Sequence, residues 1–359
     1  MICGLWIDED CGVHLCERAA DGTRSVRIEA GFRPFLWAAG QPMAAGMEAV
    51  PLDGEGQLGL LLYFDSLGVF RSAASDRSLP SEVIRPVEAQ YLMHSRRRFF
   101  EGMTYAQLRR CTIDLEIDAP DADPDPTNPA HRVLAIGIMS PEGVVQVLQP
   151  DGDSSDAERV MLKRFGELLR EMDPDVIEGH GIFSNALDFL LRRYRRYKIK
   201  AEWGRFGQLA TARKTRMRVA ERWIDYVRCD APGRSIFDTA IAVQVFDISA
   251  RELPGYELEE VAEYFGAMPE DAVADDAELP VAQLVERRLG LARSVADVLL
   301  PTYFAQAQNI PLPLQEVSLR GSSAKVDSLL FERYYHARHA LPDYPEPVPF
   351  EGAFSHSFE

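Results

Sequence analysis

The stretch TIDLEI, residues 112–117, places Asp114 and Glu116 one residue apart inside an otherwise apolar, β-branched run. In a strand, residues i and i+2 point to the same face, so these carboxylates stand side by side where a core face would carry Leu or Val. At an effective dielectric of about 20, two like charges about 4 Å apart cost on the order of 4 kcal/mol. A positive group must sit between them. It is either a catalytic divalent metal or a protein cation in the metal's place.

The surrounding sequence supplies the elements that would position such a pair. RRCTIDLEI, RVLAIGIMS and VVQVLQP read as three successive strands, the first two joined by a long acidic loop. SDAERVMLKRFGELLREMDPDVIEGHG follows, a helix N-capped by Ser154, Ser155 or Asp156 that stops at Pro174 and leads into a buried strand. IFSNALDFLLRRYRRYK predicts a second helix, and GRSIFDTAIAVQVFD a further strand and helix start, with Asp238 ordering the strand end or capping that helix. YELEEVAEYFG and PVAQLVERRLGLARSVADVLLPTYFAQAQ are amphipathic helices. An antiparallel meander followed by alternating helices and strands, with acids central in its first strand, is the order of an RNase H-like α/β fold with a mixed sheet. Before it, short alternating runs such as GVHLCER, RPFLWAAG and LGLLLYFDS predict a smaller, mostly β domain. The expected units are 1–105, 106–320, and a helix and connector over 321–359.

The chain has 359 residues, 46% of them hydrophobic, and a formal charge of −17. No run approaches the roughly 18 apolar residues of a membrane span, and the acidic opening MICGLWIDED does not read as a signal peptide. Five cysteines without CxxC or zinc-finger spacing point to free thiols in the cytoplasm. The acidic balance argues against nucleic-acid binding by the whole surface, so local cation density decides. Basic residues gather between 190 and 223, in LLRRYRRYKIK and ARKTRMRVAERW. Arg192, Arg193, Arg195, Arg196, Tyr197 and Lys198 are the candidate nucleic-acid contacts there, with Tyr194, Tyr197 and Trp203 available to stack on bases. A solvated helix face is the competing reading of the run. His180, in GHG, suits a structural role better than a general base, and the acidic run 118–125 lacks the Gly and closing Glu of a calcium loop.

Several ordered blocks, FFEGMTYAQLRRCTIDLEI, DPDVIEGHGIF, GRSIFDTAIAVQ, YELEEVAEYFG and LLPTYFAQAQNIPLPLQEVSLRGSSAKVDSLLFERYYHARHALP, resemble the N-terminal and 3′-5′ exonuclease domains of family B DNA polymerases. That resemblance implies a site of four carboxylates around two divalent metals, one ion activating water and the other stabilising the leaving oxygen. Asp114 and Glu116 match the family's first motif, DxE. Laid without a gap on the second motif, GHNIFNFDLPFLL, this chain has Gly181 at the Asn and Ala186 at the Asp. Asp188, the nearest acid, lies about 200° around a helix from 186 and points elsewhere. Counting back from LLPTYF puts Leu284 at the Tyr and Arg288 at the Asp of the third motif, YxxxD.

The resemblance therefore implies a degenerate site in which Arg288 supplies the charge between Asp114 and Glu116. No cofactor is then expected. If the site were active, Mg²⁺ or Mn²⁺ would bind at Asp114 and Glu116. The palm and fingers motifs DxxSLYPS, YxDTD and KxxxNSxYG are absent from the sequence. The expected role is a DNA-binding scaffold that meets palm, fingers and thumb in cis or in trans, with no membrane partner. The alternatives are an active metal-dependent 3′-5′ exonuclease and a protein-interaction module of a replication or repair complex.

Overall fold

The computed structural model describes residues 1–40, 45–119, 124–125, 127–128, 130–268 and 279–342. Much of the acidic loop 118–126, all of the acidic stretch 269–278 and the connector beyond 342 lie outside the described residues. The chain begins with β1 (Ile2–Ile7), β2 (Val13–Arg18) and β3 (Arg24–Glu29), which form an antiparallel sheet in that order. β4 (Phe35–Ala38), β5 (Met47–Pro51), β6 (Leu60–Phe64), helix α1 (Leu67–Ala73), β7 (Ser81–Glu82) and helix α2 (Val87–Ser95) follow. The second sheet has the order β5-β6-β4-β7. β4 is buried at every position and β1 at all but one, and with buried residues of β2 and β6 they pack against both helices.

The α/β part starts with β8 (Arg110–Asp118), β9 (Arg132–Met139) and β10 (Val145–Leu148), the predicted meander. Helix α3 (Ser155–Met172) is capped by Ser154, whose side chain accepts from the Ala157 amide, and it ends on Asp173 in the left-handed conformation just before Pro174. Next come β11 (Val176–Gly179), a π-helical turn over Ile182–Ala186, and helix α4 (Leu187–Arg196). A hairpin of β12 (Thr211–Val219) and β13 (Arg222–Asp230) precedes β14 (Ser235–Asp238), α5 (Thr239–Ala250) and α6 (Leu258–Tyr264). The long helix α7 (Val281–Ala307), the short α8 (Leu314–Ser318) and α9 (Ser322–Ala337) complete the described chain. The main sheet has the order β10-β9-β8-β11-β14, with β8 parallel to β11 and antiparallel to β9. This is an RNase H-like fold with a mixed sheet, preceded by a β-rich region.

Helix α9 does not lead away from the body. Tyr335 stacks on Phe35 with ring centroids 4.4 Å apart, and the Tyr63 hydroxyl lies 3.3 Å from that of Tyr335, so α9 packs back on the N-terminal sheet. One continuous core joins residues of β1, β4 and β6 with Leu299, Leu300 and Phe304 of α7. A second lies between α3, α4 and the main sheet. The hairpin β12–β13 corrects a reading of 190–223 as one helix face. Its inward residues, Met217, Val219, Tyr226 and Cys229, are few and buried, so its sequence is dominated by the polar outer face.

Candidate functional site

β8 places Asp114 and Glu116 on one face, opposite Gly137 and Ala135 of β9. Helix α7 crosses that face closely because Gly137 has no side chain: a Cβ there would lie 2.4 Å from Val285 and 2.7 Å from Leu289. Val285, Leu289 and Ala135 are fully buried together. These two anchors, four residues apart on one helix face, fix the rotation of α7 and deliver Arg288 to the acids. Arg288 Nε donates to Asp114 Oδ2 at 2.8 Å, and its Nη2 donates to Glu116 Oε2 at 2.7 Å and to the Leu115 carbonyl at 3.3 Å. One guanidinium thus bridges both carboxylates, a charge-assisted fork that an ammonium would not reproduce.

The three side chains are 20–26% exposed, so the cluster opens to solvent on one side. Burial pushes the Asp114 carboxyl above its ordinary value, against the pull of Arg288. Burial also works against the charge on Arg288, but Asp114 and Glu116 outweigh it and hold the guanidinium more firmly protonated. The local balance, two negative charges against one positive, leaves about one unit of negative charge facing outward.

Ala186 closes the π-helical turn before α4 and packs against the second core, offering no oxygen. Asp188 accepts from Arg192 Nε at 2.9 Å, one turn along α4. Among the described residues no three His, Cys, Asp or Glu side chains converge as a metal-binding group. Two divalent ions need about four carboxylates to offset their charge. Two carboxylates already bridged by a guanidinium do not fit them.

His180 is held on both ring nitrogens, Nδ1 at 2.9 Å from Thr239 Oγ1 and Nε2 at 2.8 Å from the Tyr256 carbonyl, which is a structural role. Asp238 both orders its strand end and caps α5: it accepts from the amides of Gly181, Phe183 and Ala240.

The basic run needs correction. Arg193 is only 2% exposed and donates to Glu158, with Nε at 2.7 Å, and the Tyr197 hydroxyl reaches the same carboxylate at 2.7 Å. Arg192 is tied to Asp188. Tyr194 and Trp203 are buried edge-to-face against each other and cannot stack on a base. Of the six candidate contacts, Arg195, Arg196 and Lys198 remain exposed. The larger cationic surface is the hairpin. Lys214, Arg216 and Arg218 alternate on its outer face, Trp223 opposite Arg218 is 57% exposed, and Arg216 lies 4.6 Å over its ring.

Sequence reasoning missed a second ionic cluster beside the first. Glu178 on β11, fully buried, accepts from Arg110 Nε and Nη2 and from the Thr112 hydroxyl at 2.8–2.9 Å, and pairs with Arg293 of α7 at 2.9 Å. The signal was present: a glutamate inside the apolar strand DVIEG demands a buried partner.

Comparisons with known proteins agree with this fold. The family model described as DNA polymerase family B, exonuclease domain, matches residues 87–261. A DNA polymerase of Archaeoglobus fulgidus is 25% identical over 265 residues, 70% of this chain and 31% of that protein. A DNA polymerase of Pyrococcus glycovorans is 28% identical over 56% of this chain and 26% of its own length. The chain thus spans about a third or less of these curated relatives. Among solved structures, the family B DNA polymerase from the hyperthermophilic archaeon Pyrobaculum calidifontis superposes with a TM-score of 0.70 at 19% identity, over 97% of this chain and 51% of that one, which shows the shared fold. Residues 87–261 thus match the exonuclease domain of DNA polymerase family B, within an architecture shared with a polymerase of that family.

Proposed function

We propose that this chain is the N-terminal and exonuclease-like portion of a family B polymerase, a scaffold that holds DNA without trimming it. Its units are 1–105, 106–320 and the segment from 321. One observation carries the reading: the Arg288 guanidinium lies on both Asp114 and Glu116, where hydrolysis would require divalent ions. Ala186 adds to it by supplying no ligand. Lys214, Arg216, Arg218 and Trp223 of the hairpin, with Arg195, Arg196 and Lys198 at the end of α4, offer cations and a stacking ring to a phosphate backbone. Neither Lys214 nor Arg216 makes an ion pair among the described residues, Asp225 lying across the ladder from Arg216. The remaining polymerase domains and DNA are the proposed partners.

A labelled single strand incubated with the chain and Mg²⁺ or Mn²⁺ tests the first half of the proposal. An unchanged 3′ end is expected, and stepwise shortening that Asp114→Ala abolishes would restore the active-exonuclease reading. For the second half, Lys214→Glu with Arg216→Glu should weaken single-strand binding and reduce the salt slope by roughly one for each phosphate no longer neutralised. Binding that keeps its strength and slope would mean the hairpin faces protein.

A further inference from the structure

We propose that Cys3 and Cys16 form a modification site, a thiol pair that a hydroperoxide converts to a disulfide at the junction between the N-terminal sheet and the exonuclease domain. β1 and β2 pair as Ile2 with Glu17 and Gly4 with Cys16, and the register slips between Ile2 and Gly4. Cys3 is the extra residue. In a regular ladder the neighbour of a paired residue points to the opposite face. The bulge turns Cys3 toward Cys16 instead. Their sulfurs are 3.5 Å apart, and the Cys3 thiol also lies 3.4 Å from the Cys16 carbonyl. A disulfide needs about 2.05 Å, so rotation of two side chains by roughly 1.5 Å in total closes it.

Both thiols are buried, Cys3 1% and Cys16 0% exposed, so a peroxide reaches them only as β1 and β2 open locally, and once there the surroundings set a nucleophile beside a resolving thiol. Arg205 is buried, donates from Nη1 to the Cys3 carbonyl at 2.8 Å, and sits 3.8 Å from the Cys3 sulfur. The thiol of Cys3 donating toward Cys16 lowers the Cys16 thiol below its ordinary value, with help from the Arg205 and Arg24 guanidiniums, while Cys3 itself is pushed up. Burial raises the remaining thiols, Cys11 to about 11 and Cys111 to about 12, with Cys229 raised as well. Arg205 also clamps Asp175 at 2.9 Å and Asp173 at 3.0 Å, and Arg18 of β2 reaches Asp175 at 2.9 Å. The thiol pair therefore lies under the ionic contacts that hold β1 and β2 on the α/β domain.

In the reaction, the Cys16 thiolate attacks one peroxide oxygen and the O–O bond breaks. The departing oxyanion takes a proton from solvent, and Cys16 becomes a sulfenic acid. The Cys3 sulfur then attacks that sulfur; the S–S bond forms, the S–O bond breaks, and hydroxide leaves as water with the Cys3 proton. Two thiols lose two electrons and the peroxide gains them.

The full chain is treated with hydrogen peroxide, its residual thiols are alkylated after denaturation, and the product is weighed and digested without reductant. The expected result is a loss of two hydrogen atoms, a link between the peptides holding residues 3 and 16, reversal by dithiothreitol, and a thermal midpoint higher by about 5 °C. Cys16→Ser should remove the link and Cys111→Ser should keep it. If Cys16→Ser does not fold, the peptide map of the unsubstituted chain decides alone. Oxygen added to a single cysteine, a link through Cys11, or both thiols still alkylated would overturn the proposal.

Discussion

The two ends of β8 carry the same kinds of ion in different surroundings. At its start, Arg110 and Thr112 meet Glu178 and Arg293, and Glu178 is fully buried with both oxygens satisfied. Toward its end, Asp114 and Glu116 share Arg288 on a face that solvent reaches. The inner cluster centres on Glu178, which holds Arg110 and Arg293 while the half-exposed Asp297 also meets Arg110, and removing Glu178 leaves Arg293 and one side of Arg110 in low dielectric without it. The outer cluster keeps free lone pairs and an excess negative charge. Burial therefore separates a cluster that holds the sheet and helix together from one that solvent reaches.

The largest expected effect comes from breaking the inner cluster. Glu178→Ala leaves Arg110 and Arg293 facing each other without their shared carboxylate, and should cost about 3–5 kcal/mol in denaturant unfolding. A cost comparable to that of an ordinary surface substitution would erase the distinction. Arg288→Ala breaks the outer cluster and should cost only about 1 kcal/mol, because solvent screens the acids it leaves. A destabilisation as large as that of Glu178→Ala would show that Arg288 is a structural strut.

Acid should sharpen the contrast by a smaller amount. The raised Asp114 carboxyl binds its proton more tightly folded than unfolded. Its contribution to stability is therefore present below the ordinary value of 3.8 and is lost as pH rises through the raised folded value. Removing Arg288 raises that carboxyl further, so the cost of Arg288→Ala should be greatest near neutral pH and shrink as Asp114 becomes protonated. Urea midpoints of both proteins at neutral pH and near pH 4 provide the check, and a pH-independent difference would contradict this assignment.

What was legible in the sequence follows from how local each signal is. The β8–β10 meander showed because its apolar runs are short and bounded by turns, and α3 showed because Ser154 and Pro174 mark its ends. Arg288 could be located by counting, since α7 runs without a break from Val281 to Ala307 and preserves the spacing back from LLPTYF. The hairpin did not show, because only a few of its residues face inward and its outer face reads as a basic run. The burial of Arg193 depends on Glu158, 35 residues away, and no local pattern announces such a pair. Tyr194 and Trp203 look like stacking platforms by type alone, and only the packing of Trp203 against Phe165 and of Tyr194 against Trp203 turns them into core.

The central claim is that the Asp114–Glu116 pair already has its cation. Calorimetric titration with Mn²⁺ tests this most directly, comparing the unsubstituted chain with one carrying Arg288→Asp and Ala186→Asp. The account predicts no heat attributable to Asp114 and Glu116 in the first and metal binding, lost again on Asp114→Ala, in the second. Two Mn²⁺ ions bound at Asp114 and Glu116 of the unsubstituted chain would contradict it.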